Sequence, residues 1–284
     1  MAELHTALKL FLPNRDKRKV AIFGSGRVGN SHPNYKLAFE LAQGLVRQNY
    51  QVISGAGGGV MEAVNQGAGP GNSYGLNIKL PMEQSANPFI ENDPHLLEFK
   101  YFFTRKLVFI KESSATVLLP GGFGTLDEGF ENLTLFQTGK CMPRPIILLD
   151  NKKDNYWDRW MDFISSMLIE QGFAKKSDLS LVYRARSSQQ AIDHILNYYK
   201  VFHSLRYIND LTLLRLTKQL PPEVVKKLNA EFQDIIVEGL LKSTPPHEQE
   251  LKNKEYLTLP RLSLHFDKKG YGRLNQLIEA INQS

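Results

Sequence analysis

From residue 20 to about residue 200, short apolar runs alternate with segments whose apolar residues recur at helical spacing. Val20–Phe23, Gln51–Ser54, Tyr74–Leu80, Leu96–Phe99, Thr116–Leu119, Ile146–Leu149 and Leu179–Tyr183 read as strands. Tyr35–Gln48, Val60–Gly67, Phe102–Ser113, the segment behind Gly124, Tyr156–Gln171 and Gln189–Tyr199 read as helices. Strand and helix in strict alternation predict an α/β architecture, a doubly wound parallel sheet covered on both faces. Ligands of such sheets bind at the carboxyl edge, in the loops that follow the strands.

After residue 200 the rhythm changes. Two long apolar-rich stretches, Leu205–Leu216 and Tyr256–Phe266, flank a helical segment, Pro222–Phe232, that opens at a Pro-Pro pair. The polar stretch 242–254, with Pro245 and Pro246, reads as a loop, and Arg273–Asn282 as a closing helix. The expected division is a sheet domain over 1–200 and a small C-terminal α+β appendage over 201–284. Residues 1–12 carry Leu8, Leu10, Phe11 and Leu12 and suggest a short packed helix.

Three strand ends run into glycine. Gly24-Ser25-Gly26-Arg27-Val28-Gly29 follows the first strand, Ser54-Gly55-Ala56-Gly57-Gly58-Gly59 precedes Val60-Met61, and Pro120-Gly121-Gly122-Phe123-Gly124-Thr125-Leu126-Asp127-Glu128 follows Ala115–Leu119. Glycine lets backbone N–H groups approach a phosphate closely, and a helix N-terminus adds free N–H groups and the positive dipole end. Several such turns at one sheet edge point to an anion site. The first turn matches G-x-G-x-x-G, but the second strand ends Ile53-Ser54-Gly55 without the carboxylate a dinucleotide ribose requires. A ligand smaller than a dinucleotide is expected. No turn matches G-x-x-x-x-G-K-[ST], so an ATP-hydrolysing loop is not indicated.

Composition narrows the classes. One cysteine, Cys141, excludes an internal disulfide and suits a reducing cytoplasm; no signal pattern opens the chain and no apolar run approaches a membrane span. Seven scattered histidines and one cysteine give no zinc spacing, so no metal is expected. The net charge of +6 is spread thinly, with 23 basic and 19 acidic residues over 1–200, and so argues against nucleic-acid binding.

Ser54–Met61, the Arg105-Lys106 pair and Pro120–Glu128 together resemble the Lonely Guy (LOG) family, over roughly residues 18–200. P-G-G-x-G-T-x-x-E at Pro120–Glu128 is the specific mark, with an Arg-Lys pair about 20 residues upstream. The resemblance implies a Rossmann-like fold and hydrolysis of a nucleoside 5′-monophosphate, with a purine or cytokinin base, to free base and ribose 5-phosphate. It implies catalytic roles for Arg105 and Glu128. Substrate contacts carry over to Glu83, Lys106, Gly122, Phe123, Gly124, Thr125 and Thr134. Gly24, Ser25, Ser54, Gly55, Gly57, Gly58, Gly59, Met61 and Gly121 are the phosphate-loop candidates. The resemblance further implies a homodimer, for which Tyr101-Phe102-Phe103 is a candidate interface, and no cofactor. Two departures fall near the place of the base: Phe102-Phe103-Thr104 stands before Arg105-Lys106 where the family has Met-His-x, and the segment from Glu83 to Arg105 is longer.

The chemistry fits these residue types. Breaking an N-glycosidic bond builds positive charge on the ribose and negative charge on the base. A carboxylate such as Glu128 stabilises the first and orients water. An arginine such as Arg105 stabilises the second as a fixed charge rather than a proton donor. The alternative class is a non-catalytic carrier of a nucleotide or pterin cofactor on the same scaffold. A pyridoxal-dependent decarboxylase is disfavoured, because no lysine stands out as a desolvated Schiff-base former.

Overall fold

The computed structural model describes residues 2–79 and 85–284. By internal contacts the chain divides into two compact units. The first comprises Met1–Thr134, Arg144–Ala174 and Val182–His194; the second comprises Leu135–Pro143, Lys175–Leu181 and Ile195–Ser284.

The first unit opens with α1 (Ala2–Phe11), β1 (Lys19–Phe23), α2 (Pro33–Arg47), β2 (Gln51–Ser54), α3 (Val60–Ala68) and β3 (Ser73–Ile78). It continues through β4 (Leu96–Phe99), α4 (Phe102–Glu112), β5 (Ala115–Leu118) and α5 (Phe123–Gln137). It ends with β6 (Ile146–Leu149), α6 (Tyr156–Ile164), β7 (Val182–Ala185) and the start of α7 (Ser188–Tyr198). The seven strands form one sheet in the order β4-β3-β2-β1-β5-β6-β7, and every adjacent pair is parallel. This is the expected doubly wound, Rossmann-like sheet. β1, β2, β5 and β6 are buried along their whole length, as strands covered on both faces must be. That is why β6 and the Val20–Phe23 part of β1 read as continuous apolar runs rather than alternations.

The order sets the position of the site. From β1 the chain winds outward to β4, then returns to place β5 on the other side of β1, with Ala21 opposite Thr116 and Ile22 opposite Val117. Winding reverses between these two strands, so the loops after β1 and β5 part and leave a crevice at the carboxyl edge.

The second unit contains β8 (Phe202–Ile208), β9 (Leu211–Leu216), α8 (Pro222–Glu231), β10 (Ile236–Ser243), α9 (Glu248–Asn253), β11 (Arg261–Phe266) and α10 (Tyr271–Asn282). Its antiparallel sheet has the order β10-β11-β9-β8. Leu274, Leu277, Ile278 and Ile281 give α10 its buried stripe. Glu250 is fully buried and accepts from Arg215 Nε at 2.7 Å and Arg261 Nε at 2.8 Å, so its charge is matched where water is excluded.

Several boundaries differ from the sequence reading. Leu205–Leu216 is a hairpin of two strands, turning at Asn209-Asp210 with Asn209 at φ 53°. The stretch read as a loop over 242–254 holds α9, which His247 caps by accepting from the Gln249 N–H while Glu250 accepts from the His247 N–H. The last parallel strand is Val182–Ala185 rather than Leu179–Tyr183, because Lys176–Leu181 winds as a 3₁₀ helix. The helix expected over Tyr156–Gln171 is α-helical to Ile164 and then π-helical over Ser165–Ile169. The far end of the strand expected over Tyr74–Leu80 reaches Leu80, which lies outside the described residues.

Candidate active site

Two loops are stitched together at the reversal point. The Ser25 N–H donates to the Pro120 carbonyl at 3.1 Å, joining the turn after β1 to the turn after β5. The Val60 N–H donates to the Ser25 carbonyl at 3.0 Å, bringing in the turn after β2. Gly59 permits this third junction: it stands at φ 68°, and a Cβ there would meet the Gly26 backbone at 2.7 Å. Tyr156 Oη donates to the Gly121 carbonyl at 2.7 Å and holds the turn after β5 from outside.

These junctions enclose a cavity of about 860 Å³. The turn after β1 contributes Gly24, Ser25, Gly26 and Arg27; Gly55 and Met61 come from the second glycine turn and α3. Gly121 through Glu128 form the wall opposite, and Arg105 and Phe102 enter from α4. The first turn of α5 therefore opens on the cavity; its Thr125 and Leu126 N–H groups donate to the Gly122 carbonyl at 3.0 and 3.2 Å, which leaves those of Gly122, Phe123 and Gly124 for a ligand.

Glu128 is 5% exposed, yet it lines this cavity. Its backbone is fixed by a buried relay: Asn132 Nδ2 donates to the Glu128 carbonyl at 2.7 Å, while Asn132 Oδ1 accepts from Thr116 Oγ1 of β5 and from Arg144. Its carboxylate is asymmetric. Oε1 lies 3.1 Å from Lys106 Nζ, and Oε2 is buried with no hydrogen-bond partner among the described residues. Burial raises the Glu128 pKa above the ordinary carboxylate value, against the lowering pull of Lys106 and Arg105.

Arg105 is anchored through its Nε, which donates to the Leu76 carbonyl at 2.8 Å, and its Cζ lies 5.1 Å from the Phe109 ring centroid; a Cβ added at Gly55 would come within 3.1 Å of Nη2. Burial lowers its pKa, and the Glu128 charge opposes that shift. A fixed cation and a half-satisfied anion thus line one cavity.

Of the residues singled out from sequence, Arg105, Glu128, Gly121, Gly122, Phe123, Gly124, Thr125, Gly24, Ser25, Gly55 and Met61 all line it. Others stand back. Ser54 is buried and donates to the Ile22 carbonyl, and the Gly57 carbonyl accepts from Asn87. Gly58 and Gly59 support the turn from outside the cavity wall, and Thr134 is exposed further along α5. Lys106 lies behind Glu128 among carboxylates. Glu83 lies outside the described residues. Sequence reasoning missed Phe23, Gly26, Arg27, Phe102, Leu126 and Asp127 as lining residues. Gly26 and Arg27 were legible as neighbours of Ser25 in the same turn, and Phe102 through the segment before Arg105 that was expected near the base.

Among the described residues no group of three or more His, Cys, Asp or Glu side chains is arranged to hold a metal ion. No helix among them is long and apolar enough to cross a membrane.

The family model described as "possible lysine decarboxylase" matches residues 61–195. The cytokinin riboside 5′-monophosphate phosphoribohydrolase LOG2 of Arabidopsis thaliana is 25% identical over 183 residues, covering 64% of this chain and 84% of that protein. The probable phosphoribohydrolase LOG6 of the same plant is 28% identical over 184 residues, covering 64% of this chain and 89% of its own. Among solved structures, the molybdenum cofactor carrier protein of Chlamydomonas reinhardtii aligns at a TM-score of 0.44 with 17% identity, over 63% of this chain and 98% of that one. In its glycine turns, its Arg-Lys pair and its sequence relatives, the chain is similar to the Lonely Guy (LOG) proteins.

Proposed function

We propose that this protein hydrolyses the N-glycosidic bond of a purine or cytokinin nucleoside 5′-monophosphate, yielding free base and ribose 5-phosphate. The observation that carries the reading is the unpartnered Glu128 Oε2, buried in the wall of a cavity that also holds Arg105 and the N-terminus of α5. A buried carboxylate oxygen without a donor is costly to stability, and a ribose hydroxyl would repay that cost.

The phosphate rests on the N–H groups of Gly122, Phe123 and Gly124 and on the turn at Ser25, which anchors the ribose without taking part in bond breaking. Glu128 hydrogen-bonds the ribose and stabilises the positive ring as the bond from C1′ to the base lengthens. Arg105 stabilises the negative charge gathering on the departing base. The oxygen of water adds to C1′, and its proton ends on the base. The junctions at Ser25 and Val60 keep these groups in place before substrate arrives, the preorganisation on which such stabilisation depends.

A homodimer belongs to this reading. Tyr101 and Phe103 stack at 5.3 Å on the surface, and Phe102 and Phe103 are 54% and 71% exposed, apolar area that a second copy would cover. A cytoplasmic location accords with the single cysteine.

The test is a panel of adenosine, guanosine, cytidine, uridine and N6-modified adenosine monophosphates incubated with purified protein, with free base and ribose 5-phosphate assayed together. Release of both from at least one purine monophosphate supports the reading. Tight binding without release from any of them favours the carrier instead.

A further inference from the structure

Lys106 sits beside Arg105 on α4, and its ammonium is enclosed by acids from α5. Nζ lies 2.8 Å from Glu131 Oε2, 2.9 Å from Asp127 Oδ2 and 3.1 Å from Glu128 Oε1. An ammonium has three N–H donors and no acceptor. Three carboxylates at these distances take all three, and the side chain is only 16% exposed. Nothing is left with which it could bind a phosphate or a base.

We propose that Lys106 is a positioning residue for Glu128 and makes no contact with substrate: it grips Oε1, so that Oε2 alone is presented to the ribose. The proposal rests on the phosphoribohydrolase reading of this cavity and assigns Lys106 a role that the resemblance to LOG proteins does not. The division of labour follows from geometry. Asp127 and Glu131, 63% and 30% exposed, hold the same ammonium, so it cannot leave this cluster for a substrate without losing those two partners as well as Glu128. The neighbouring guanidinium of Arg105 is committed through Nε to Leu76, which leaves Lys106 as the group that orients the carboxylate.

The same arrangement governs ionisation. Glu128 is subject to burial, which favours the neutral acid, to Lys106 and Arg105 from α4, which favour the carboxylate, and to Glu131 from its own helix, which opposes it. Asp127 acts on it through the shared lysine. Removing the ammonium leaves burial and the acids with only Arg105 against them, so Glu128 takes up a proton at higher pH.

The experiment is a titration of the Glu128 carboxyl by ¹³C NMR in substrate-free protein, paired with steady-state kinetics on whichever monophosphate is turned over. In Lys106→Met the titration midpoint rises by about one pH unit or more. In the same variant kcat falls by about tenfold or more while KM changes less than about threefold. Lys106→Arg, which keeps the charge, returns the midpoint toward the wild-type value. A midpoint that does not move in Lys106→Met overturns the proposal, as does a KM raised about tenfold at unchanged kcat, the mark of a lost substrate contact. If Lys106→Met does not fold, the double variant Asp127→Asn, Glu131→Gln concentrates the ammonium on Glu128; its midpoint falls, and a midpoint that stays or rises overturns the proposal. Should no monophosphate be cleaved, the functional reading fails, while the titration still decides the role of Lys106.

Discussion

Ser25 and Pro120 are joined by a single backbone hydrogen bond of 3.1 Å that closes the crevice between β1 and β5. Gly121, next along, leaves no room for a side chain: a Cβ there would come within 3.0 Å of the Ser25 nitrogen and would strike the Thr125 side chain. Gly121→Ala is therefore expected to push the two turns apart and displace the phosphate cradle. We expect kcat/KM to fall about 100-fold, the cost of misplacing reacting groups by about 1 Å. Retention of full kcat/KM by Gly121→Ala, measured by release of ribose 5-phosphate, would show that this junction does not set the site.

Glu128→Gln keeps the shape of the side chain and removes its charge. Loss of a preorganised electrostatic partner of the transition state lowers kcat by about 10²–10³. Stability moves in the other direction. The folded protein holds the Glu128 proton to a higher pH than the unfolded chain, so ionising this group costs stability as pH rises from the ordinary carboxylate range through the raised folded value. Lys106 keeps Asp127 and Glu131 in the variant. The melting temperature of Glu128→Gln at pH 7 is expected to equal or exceed that of the wild type, and a large fall in it would contradict this.

The same raised value fixes the acid limb of catalysis. If the carboxylate is the working form, kcat/KM in the wild type falls as pH drops through a point above the usual range for a glutamate. A pH–rate profile flat down to about pH 4.3, the ordinary glutamate value, would show that the ionised form is not required.

How far the chain could be read in advance depended on how local each signal was. β1 and β6 were legible because full burial on both faces makes Val20–Phe23 and Ile146–Leu149 uninterrupted apolar runs, and the glycine turns because close backbone approach leaves few substitutes. Arg105 and Glu128 were found through a motif, and they meet in one cavity. Other features depended on distant partners. Asp127 and Glu131 look like ordinary helix-surface acids until α4 brings Lys106 against them. β10 was missed because as an edge strand it is mostly exposed, with Val237 68% and Leu240 65% exposed, and Gly239 interrupts it at φ 68°. α9 was hidden in a polar stretch, since Glu250 is buried by pairing with Arg215 and Arg261 rather than by an apolar stripe.

His194 gives a prediction that does not involve the cavity. Its ring stacks on Tyr183 at 3.8 Å and 4°, and burial pulls its pKa down to about 4. The unfolded chain takes up this proton near pH 6.5, so stability is full above that pH and is lost as pH falls from 6.5 toward 4. From this group alone the loss between pH 7 and pH 5 is about 2 kcal/mol. His194→Phe keeps the stack and removes the titration. Urea unfolding at the two pH values should show a smaller difference for the variant than for the wild type, and an equal difference would remove His194 from the cause.

The central claim is most directly tested by carrying out the reaction in water enriched in ¹⁸O and weighing the products. The expected result is one ¹⁸O atom in ribose 5-phosphate, none in the released base, and the loss of both products in Glu128→Gln. Recovery of every nucleoside monophosphate intact after stoichiometric binding would contradict it.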